Sequence, residues 1–272
     1  SSGCKVSVES LDGFGTIAAQ MVIDASGVTP VSSKTSCVRS RLPNDRVGYA
    51  VQYQMRVPGT GLGDVNDFYY GGDYSPRGYA WVFPRANEVA VGTGGIVSGI
   101  KVSSRRTSEY LDYLISQVEP VRTELEGATI IKKEAALMPL AGISRPSYAN
   151  RVLLVGDAAA HCSPISGEGI RYAMVAGHTA AKIAANAVKT DDYSARSLSG
   201  YEKQWTKAIG SDLKWGLWLQ KRFTDSGSAS MGSRFLKSEK ARRIIAEMLV
   251  GERSVMSAIK AALPGYLVSR IR

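Results

Sequence analysis

One stretch constrains this chain more than any other: Val155-Gly156-Asp157-Ala158-Ala159-Ala160-His161-Cys162-Ser163-Pro164-Ile165-Ser166-Gly167-Glu168-Gly169-Ile170. The apolar run Arg151-Val152-Leu153-Leu154-Val155 predicts a short buried strand that ends at Gly156-Asp157. Three alanines follow, small enough to let another group approach the backbone. A loop through Pro164 then leads to Gly167 and Gly169, where a helix is predicted to run from about Gly169 to Lys189. A helix start presents unpaired N–H groups and a partial positive charge, worth roughly 0.3–1 kcal/mol to a nearby anion. Asp157, at the strand end, is placed to accept a hydrogen bond from a ligand hydroxyl.

The rest of the chain supplies a sheet and helices around that stretch. Lys5 to Glu9 and Thr16 to Gln20 alternate like the arms of a hairpin turning at Leu11-Asp12-Gly13. Met21 to Gly27 reads as a buried strand ending in a turn, followed by a loop from Val28 to Ser36. Val47 to Val57 and Gly78 to Val91 alternate with period two and predict antiparallel strands of one sheet, joined through a Gly-rich connection from Pro58 to Asp64. From Ser103 to Glu124 the period becomes helical, with Tyr110, Leu111, Leu114, Ile115 and Val118 on one face. Ala128 to Met138 predicts a further strand. Beyond Asp191 the chain reads as largely helical, with Trp205, Trp215 and Trp218 and a Ser/Gly break at Ser226–Gly232.

A second motif lies in the sheet. Tyr79-Ala80-Trp81-Val82-Phe83-Pro84 is followed, seven residues on, by Gly92-Thr93-Gly94. Strand alternation puts Tyr79, Trp81 and Phe83 on one face, an apolar wall suited to a long hydrocarbon ligand or to packing on a helix. Gly92 and Gly94 are expected to omit side chains where a ligand ring lies close.

Taken together these residues resemble the geranylgeranyl reductase family of flavoproteins, within the para-hydroxybenzoate hydroxylase-like fold. Residues 155–170 are similar to the second FAD motif of that fold, and residues 79–94 match the family's Y-x-W-x-F-P-x7-G-x-G signature. Met21 to Gly27, with Val38-Arg39, is similar to its strand and A-D-G turn, although Ser26 stands where an Asp is usual. The resemblance implies an α/β fold with an α+β substrate region and FAD as cofactor. The family's opening strand, G-x-G-x-x-G and helix are not found here, so the chain is expected to lack that N-terminal Rossmann βαβ unit. The expected division is 1–46, the remainder of an FAD-binding domain; 47–140, an antiparallel-sheet substrate domain; 141–190, the second FAD segment; and 191–272, a helical region.

The resemblance further implies hydride transfer from reduced flavin to C=C bonds of geranylgeranyl chains in lipid or diphosphate substrates. FAD-binding residues would be Asp157, Ala158, Pro164, Gly167, Gly169 and Ile170, with Asp24 and Gly27 from the earlier turn; Asp157 would meet a ribityl hydroxyl. Substrate-binding residues would be Tyr79, Trp81, Phe83, Pro84, Gly92 and Gly94. No catalytic residue is assigned, and His161 and Cys162 read as residues that fill space beside the loop. An electron donor such as ferredoxin or NAD(P)H is required. Two other functions stay open: an FAD-dependent aromatic monooxygenase, and a non-catalytic lipid-binding remnant.

Composition sets outer limits. A net charge of +10 on 272 residues suits anionic lipid, a phosphorylated small molecule, or merely a soluble surface. No nucleic-acid-binding pattern accompanies it. Cys4, Cys37 and Cys162 are odd in number and lack metal-site spacing, so disulfides and metal are not expected and a cytoplasmic protein is. The amphipathic stretch from Lys240 to Val250, basic at its start, suits either an ordinary surface helix or one lying peripherally at a membrane.

Overall fold

A computed structural model describes residues 3–10, 13–36, 38–58, 63–225 and 238–262. Leu11 and Asp12 of the expected hairpin turn, Cys37, part of the Gly-rich connection and the Ser226–Gly232 break lie outside these residues. The chain divides into two compact units, one gathering the described parts of Ser1–Arg41, Pro139–Phe223 and Arg234–Arg272, the other built on Leu42–Met138.

In the first unit β1 (Cys4–Ser10) and β2 (Gly13–Ala19) form the expected antiparallel hairpin. β3 (Val22–Asp24) lies parallel to β10 (Val152–Leu154), which pairs antiparallel with β9 (Tyr148–Ala149), giving the order β3-β10-β9. Val152, Leu153 and Leu154 are all buried, as a continuous apolar run requires when both faces of a strand are covered. β10 runs into a 3-10 turn, Gly156–Ala159, and the loop beyond it enters α4 (Ile170–Thr190).

The core of this unit is completed by α6 (Gly200–Asp225), after a short α5 (Ala195–Leu198). Tyr201, Trp205, Ile209 and Leu213 recur every four residues on one face of α6 and pack with Leu153, Tyr172 and Ala180. Burying a side chain of this size contributes roughly 1.5–3 kcal/mol over leaving it in water. Their polar ends are satisfied: the Tyr201 hydroxyl donates to the Leu154 carbonyl, and Trp205 Nε1 donates to Ser147 Oγ at 2.9 Å. The amphipathic helix predicted near the C-terminus is α7 (Glu239–Leu249). Ala241, Ile244 and Leu249 on its apolar face are buried, while Arg243 is exposed and pairs with Glu247.

The second unit is a five-stranded sheet in the order β5-β6-β7-β4-β8: β4 (Val47–Arg56), β5 (Asp67–Tyr70), β6 (Gly78–Arg85), β7 (Glu88–Ile96) and β8 (Thr129–Pro139). β5 is an element the sequence reading did not single out. A short α1 (Val97–Ile100) follows β7. The helical stretch from Ser103 to Glu124 resolves into α2 (Thr107–Gln117) and α3 (Glu119–Glu124), with Val118 extended between them. Pro120 explains the break, since it has no N–H to donate and its ring clashes with the preceding turn. Leu111, Leu114, Val121 and Leu125 from the helical segment pack on Met55, Ala80, Val82, Val89 and Val91 of the sheet.

Candidate functional site

In the first unit two loops meet on a buried arginine. β3 ends at Asp24, whose carboxylate collects the following loop: Oδ1 accepts from the Ser26 N–H and hydroxyl, and Oδ2 from the Ser32 N–H at 2.8 Å and its hydroxyl. Burial acts to raise the Asp24 pKa, but these four hydrogen bonds outweigh it and hold the carboxyl below its ordinary value. Asp24 is a proposed cofactor contact, and both of its carboxylate oxygens accept from its own loop. Ser26, standing where an Asp is usual in the resemblance, is one of the donors. Gly27 sits at φ +93° with open space where a side chain would project.

Arg39 bridges from this loop to the segment after β10. Its Nε donates to the Ala158 carbonyl at 2.8 Å and its Nη2 to the Val28 carbonyl, while Nη1 is buried with no hydrogen-bond partner. Burial lowers its pKa, and the charges of Asp157 and Asp24 oppose that. Conversely, burial raises the Asp157 pKa and Arg39 opposes it. Asp157 is thus partly buried and within electrostatic reach of the Arg39 charge. An added Cβ at Gly169 would stand 3.4 Å from Asp157 Oδ1, so the helix start is bare beside that oxygen.

The other expected contacts of this segment divide into buried framework and exposed rim. Ala158 is fully buried. The Pro164 carbonyl accepts from Gln220 Nε2 at 2.6 Å, tying the loop to α6. Gly167 lies at φ +69°, and its carbonyl accepts from Cys162 Sγ. Ile170 opens α4 at 79 % exposure, and Met174, one turn on, is also exposed. The N-cap Gly169 has no side chain to offer, and Glu168 Oε1 instead accepts from the Arg171 N–H at 2.8 Å, so a carboxylate already occupies part of the first turn.

His161 and Cys162 are packing residues in this fold. Burial drives the His161 pKa down to about 3, neither ring nitrogen has a partner, and the ring lies 4.5 Å from that of Trp205. Burial likewise pushes the Cys162 thiol far above its usual range, with Asp157 and Glu168 adding to the effect, which removes thiolate character. No His/Cys/Asp/Glu group among the described residues could hold a metal ion.

In the second unit Tyr79, Trp81 and Phe83 do share one face, and it is the face opposite α2 and α3. Ala80 and Val82, alternating with them, point into the helix-covered core. The aromatic face continues onto β5, where Phe68 lies 5.7 Å from Tyr79 and 5.2 Å from Phe83, and Tyr70 lies 5.6 Å from Tyr79. These separations suit tilted and edge-to-face contacts. The aromatic side chains are half-buried, except Tyr70, which is exposed. Pro84 continues β6 opposite Val89.

Gly92 and Gly94, proposed to lie close to a ligand, have protein neighbours where a side chain would project. A Cβ at Gly92 would stand 2.3 Å from Trp81 Cζ2, and one at Gly94 would stand 2.8 Å from the Ala50 Cβ. The space is thus taken by protein: the Trp81 indole lies over Gly92, and Ala50 packs against Gly94. Gln52 is the residue that sequence reasoning missed. It accepts from Trp81 Nε1 at 3.0 Å and donates through Nε2 to Glu134 at 3.1 Å. The pairing of β4 with β7 sets Gln52 opposite Gly92, a neighbour relation that the alternation of β4 alone does not disclose.

Comparison with known proteins agrees with this geometry. Residues 47–137 match the family model described as geranylgeranyl reductase catalytic domain. A digeranylgeranylglycerophospholipid reductase from Methanococcus vannielii is 31% identical over 223 residues, covering 80% of this chain and 55% of that protein. One from Methanocaldococcus jannaschii is 30% identical, covering 81% and 56%. The chain spans about half the length of the curated relatives it matches. A geranylgeranyl bacteriochlorophyll reductase-like protein from Thermoplasma acidophilum superposes with a TM-score of 0.76 at 25% identity, covering 96% of this chain and 62% of that one. A flavin-dependent halogenase, at 18% identity and a TM-score of 0.60, shares the fold over 98% of this chain and 52% of its own. With its aromatic Y-x-W-x-F-P strand inside the matched residues, the segment 47–137 is a geranylgeranyl reductase catalytic domain, and the chain around it is similar to digeranylgeranylglycerophospholipid reductases.

Proposed function

We propose that this chain carries the FAD-contacting and substrate-binding parts of a reductase that saturates C=C bonds in geranylgeranyl chains of lipid or diphosphate substrates. The observation that carries this reading is the face of Phe68, Tyr79, Trp81 and Phe83, turned away from the helices of its own unit, inside the segment that matches the reductase catalytic domain. A branched hydrocarbon chain of that length finds there the apolar area it needs. The curated relatives are reductases of digeranylgeranyl lipids, which favours a lipid substrate.

The residues of the first unit fit FAD. A partly buried Asp157 with no hydrogen-bond donor among the described residues suits a ribityl hydroxyl, and Gly169 leaves the start of α4 bare beside its Oδ1. The orphaned Arg39 Nη1 adds a buried donor to the same unit. When bound, the flavin supplies the hydride, recharged by a donor such as ferredoxin or NAD(P)H. Ala158, Gly167 and Gly169 keep the loop narrow, Pro164 anchors it to α6, and Gly27 and Ile170 stand at its rim. The aromatic face holds the chain to be reduced and excludes water. An isolated alkene is a poor electrophile, so positioning in a dry site contributes much of the rate. No helix among the described residues is long and apolar enough to cross a membrane.

The test is reduction without oxygen. Chemically reduced, flavin-loaded protein mixed with a geranylgeranyl lipid should yield product heavier by two hydrogens per bond, read by mass spectrometry. Oxygen incorporated under air, with no anaerobic hydrogenation, would overturn the reading in favour of a monooxygenase.

A further inference from the structure

The aromatic face depends on one ring lying flat, and the family signature does not contain what holds it there. Trp81, Gly92 and Gln52 occupy one rung of the sheet: Trp81 pairs with Gly92 across β6 and β7, and Gln52 with Gly92 across β4 and β7. The middle position has no side chain, so the indole spans β7 and reaches the second strand away. There Trp81 Nε1 donates to Gln52 Oε1 at 3.0 Å, and Gln52 Nε2 donates to Glu134 Oε2 at 3.1 Å on β8. Lys132 Nζ in turn lies 2.6 Å from Glu134 Oε1.

Both ends of this chain fix its direction. An indole N–H can only donate and an ionised carboxylate can only accept, so the amide between them has one satisfactory orientation. We propose that Gln52 and Glu134 are positioning residues that lock the Trp81 indole across Gly92 and so set the floor of the isoprenoid-binding face. This rests on the reductase reading for its ligand, though not for its geometry. With the ring held down, Trp81 stacks on Phe83 at 6.1 Å and meets the edge of Tyr79 at 5.8 Å. A released indole would rise off the glycine into the space that an isoprenoid chain would use.

The experiment exploits the donor and acceptor order. The Trp81 indole N–H resonance of the 272-residue chain, assigned by its loss in Trp81→Phe, reports both solvent exchange and ligand contact. Gln52→Leu should speed indole exchange at least about tenfold, the loss expected of one hydrogen bond of roughly 1.4 kcal/mol, and weaken the response to added geranylgeranyl diphosphate. Gln52→Glu keeps an acceptor for the indole but sets a like charge against Glu134, so it should speed exchange by less than Gln52→Leu does. Gln52→Glu combined with Glu134→Gln exchanges the two roles: residue 52 still accepts from the indole, and residue 134 now donates to it. That pair should return slow exchange and ligand response to near the original values. Unchanged exchange in Gln52→Leu, or a double variant no better than Gln52→Glu, would overturn the proposal. Geranylgeranyl diphosphate that moves no resonance of the unsubstituted chain would instead count against the isoprenoid reading, with indole exchange still deciding the lock.

Discussion

Arg39 and His161 are both buried, and folding treats their nitrogens in opposite ways. Arg39 keeps its charge because two carbonyls and two acidic side chains compensate for lost water. His161 has neither, and burial holds its pKa near 3. Below pH 6.5 the unfolded chain takes up a proton that the folded chain refuses, so stability is full above that pH and falls progressively toward pH 3. At pH 5 the cost is on the order of 2 kcal/mol. His161→Leu leaves nothing there to protonate and removes two unsatisfied nitrogens. Urea unfolding at pH 7 and pH 5 should show the parent losing that amount and the variant losing little of it. Arg39→Met should act the other way: it strands the Ala158 and Val28 carbonyls and removes the charge opposing burial at Asp157. A loss of roughly 2–4 kcal/mol is expected, with a raised Asp157 titration seen by carboxyl NMR. A variant as stable as the parent would show the arginine to be dispensable to the two loops.

Among elements, β7 carries the sharpest constraint, because its bare positions are filled by neighbours from both sides. Gly92→Ala places a methyl inside the Trp81 ring and must move the indole or part the strands; a loss of about 1–3 kcal/mol is expected, as for overpacking elsewhere. Gly94→Ala meets Ala50 and the Tyr49 carbonyl instead, and should cost stability without shifting the Trp81 indole resonance. If both variants shift it equally, the indole does not lie on Gly92. This pair also shows how far the sequence could be read. Alternation was enough to put Tyr79, Trp81 and Phe83 on one face, and the buried run at Val152–Leu154 was enough to locate β10 and the turn after it. Neither pattern names the strand alongside. Gly92 and Gly94 therefore read as openings for a ligand, and Gln52 passed as one polar residue in an alternating strand. Asp24 shows the same limit: a strand-ending Asp looks the same in sequence whether it meets a ligand or caps its own loop, and its hydrogen bonds to Ser26 and Ser32 appear only in the folded chain. Tyr201 and Trp205 were part of a plainly helical stretch, but their polar contacts to Leu154 and Ser147 join positions far apart in the chain.

At the scale of the molecule, the first unit is closed by a pairing that only the folded chain provides: β3 is parallel to β10, with Val22 beside Val152, although the whole of Leu42–Met138 separates them in sequence. Each unit nevertheless has a core of its own, one centred on Leu153, Trp205 and Leu213, the other on Leu111, Leu114 and Val82. Cooperative opening follows packed cores rather than sequence continuity. Leu111→Ala and Leu153→Ala each empty a fully buried leucine site, at a cost of roughly 2–5 kcal/mol. Native-state hydrogen exchange should then separate the units. Leu111→Ala should speed exchange throughout β4, β6, β7 and α2 while leaving β10 and α6 near their original rates. Leu153→Ala should do the converse, and should speed exchange in β3 as much as in β10, because the two strands share one ladder on either side of the intervening unit. Uniform acceleration across all of these elements by either substitution would mean that the two cores open as one.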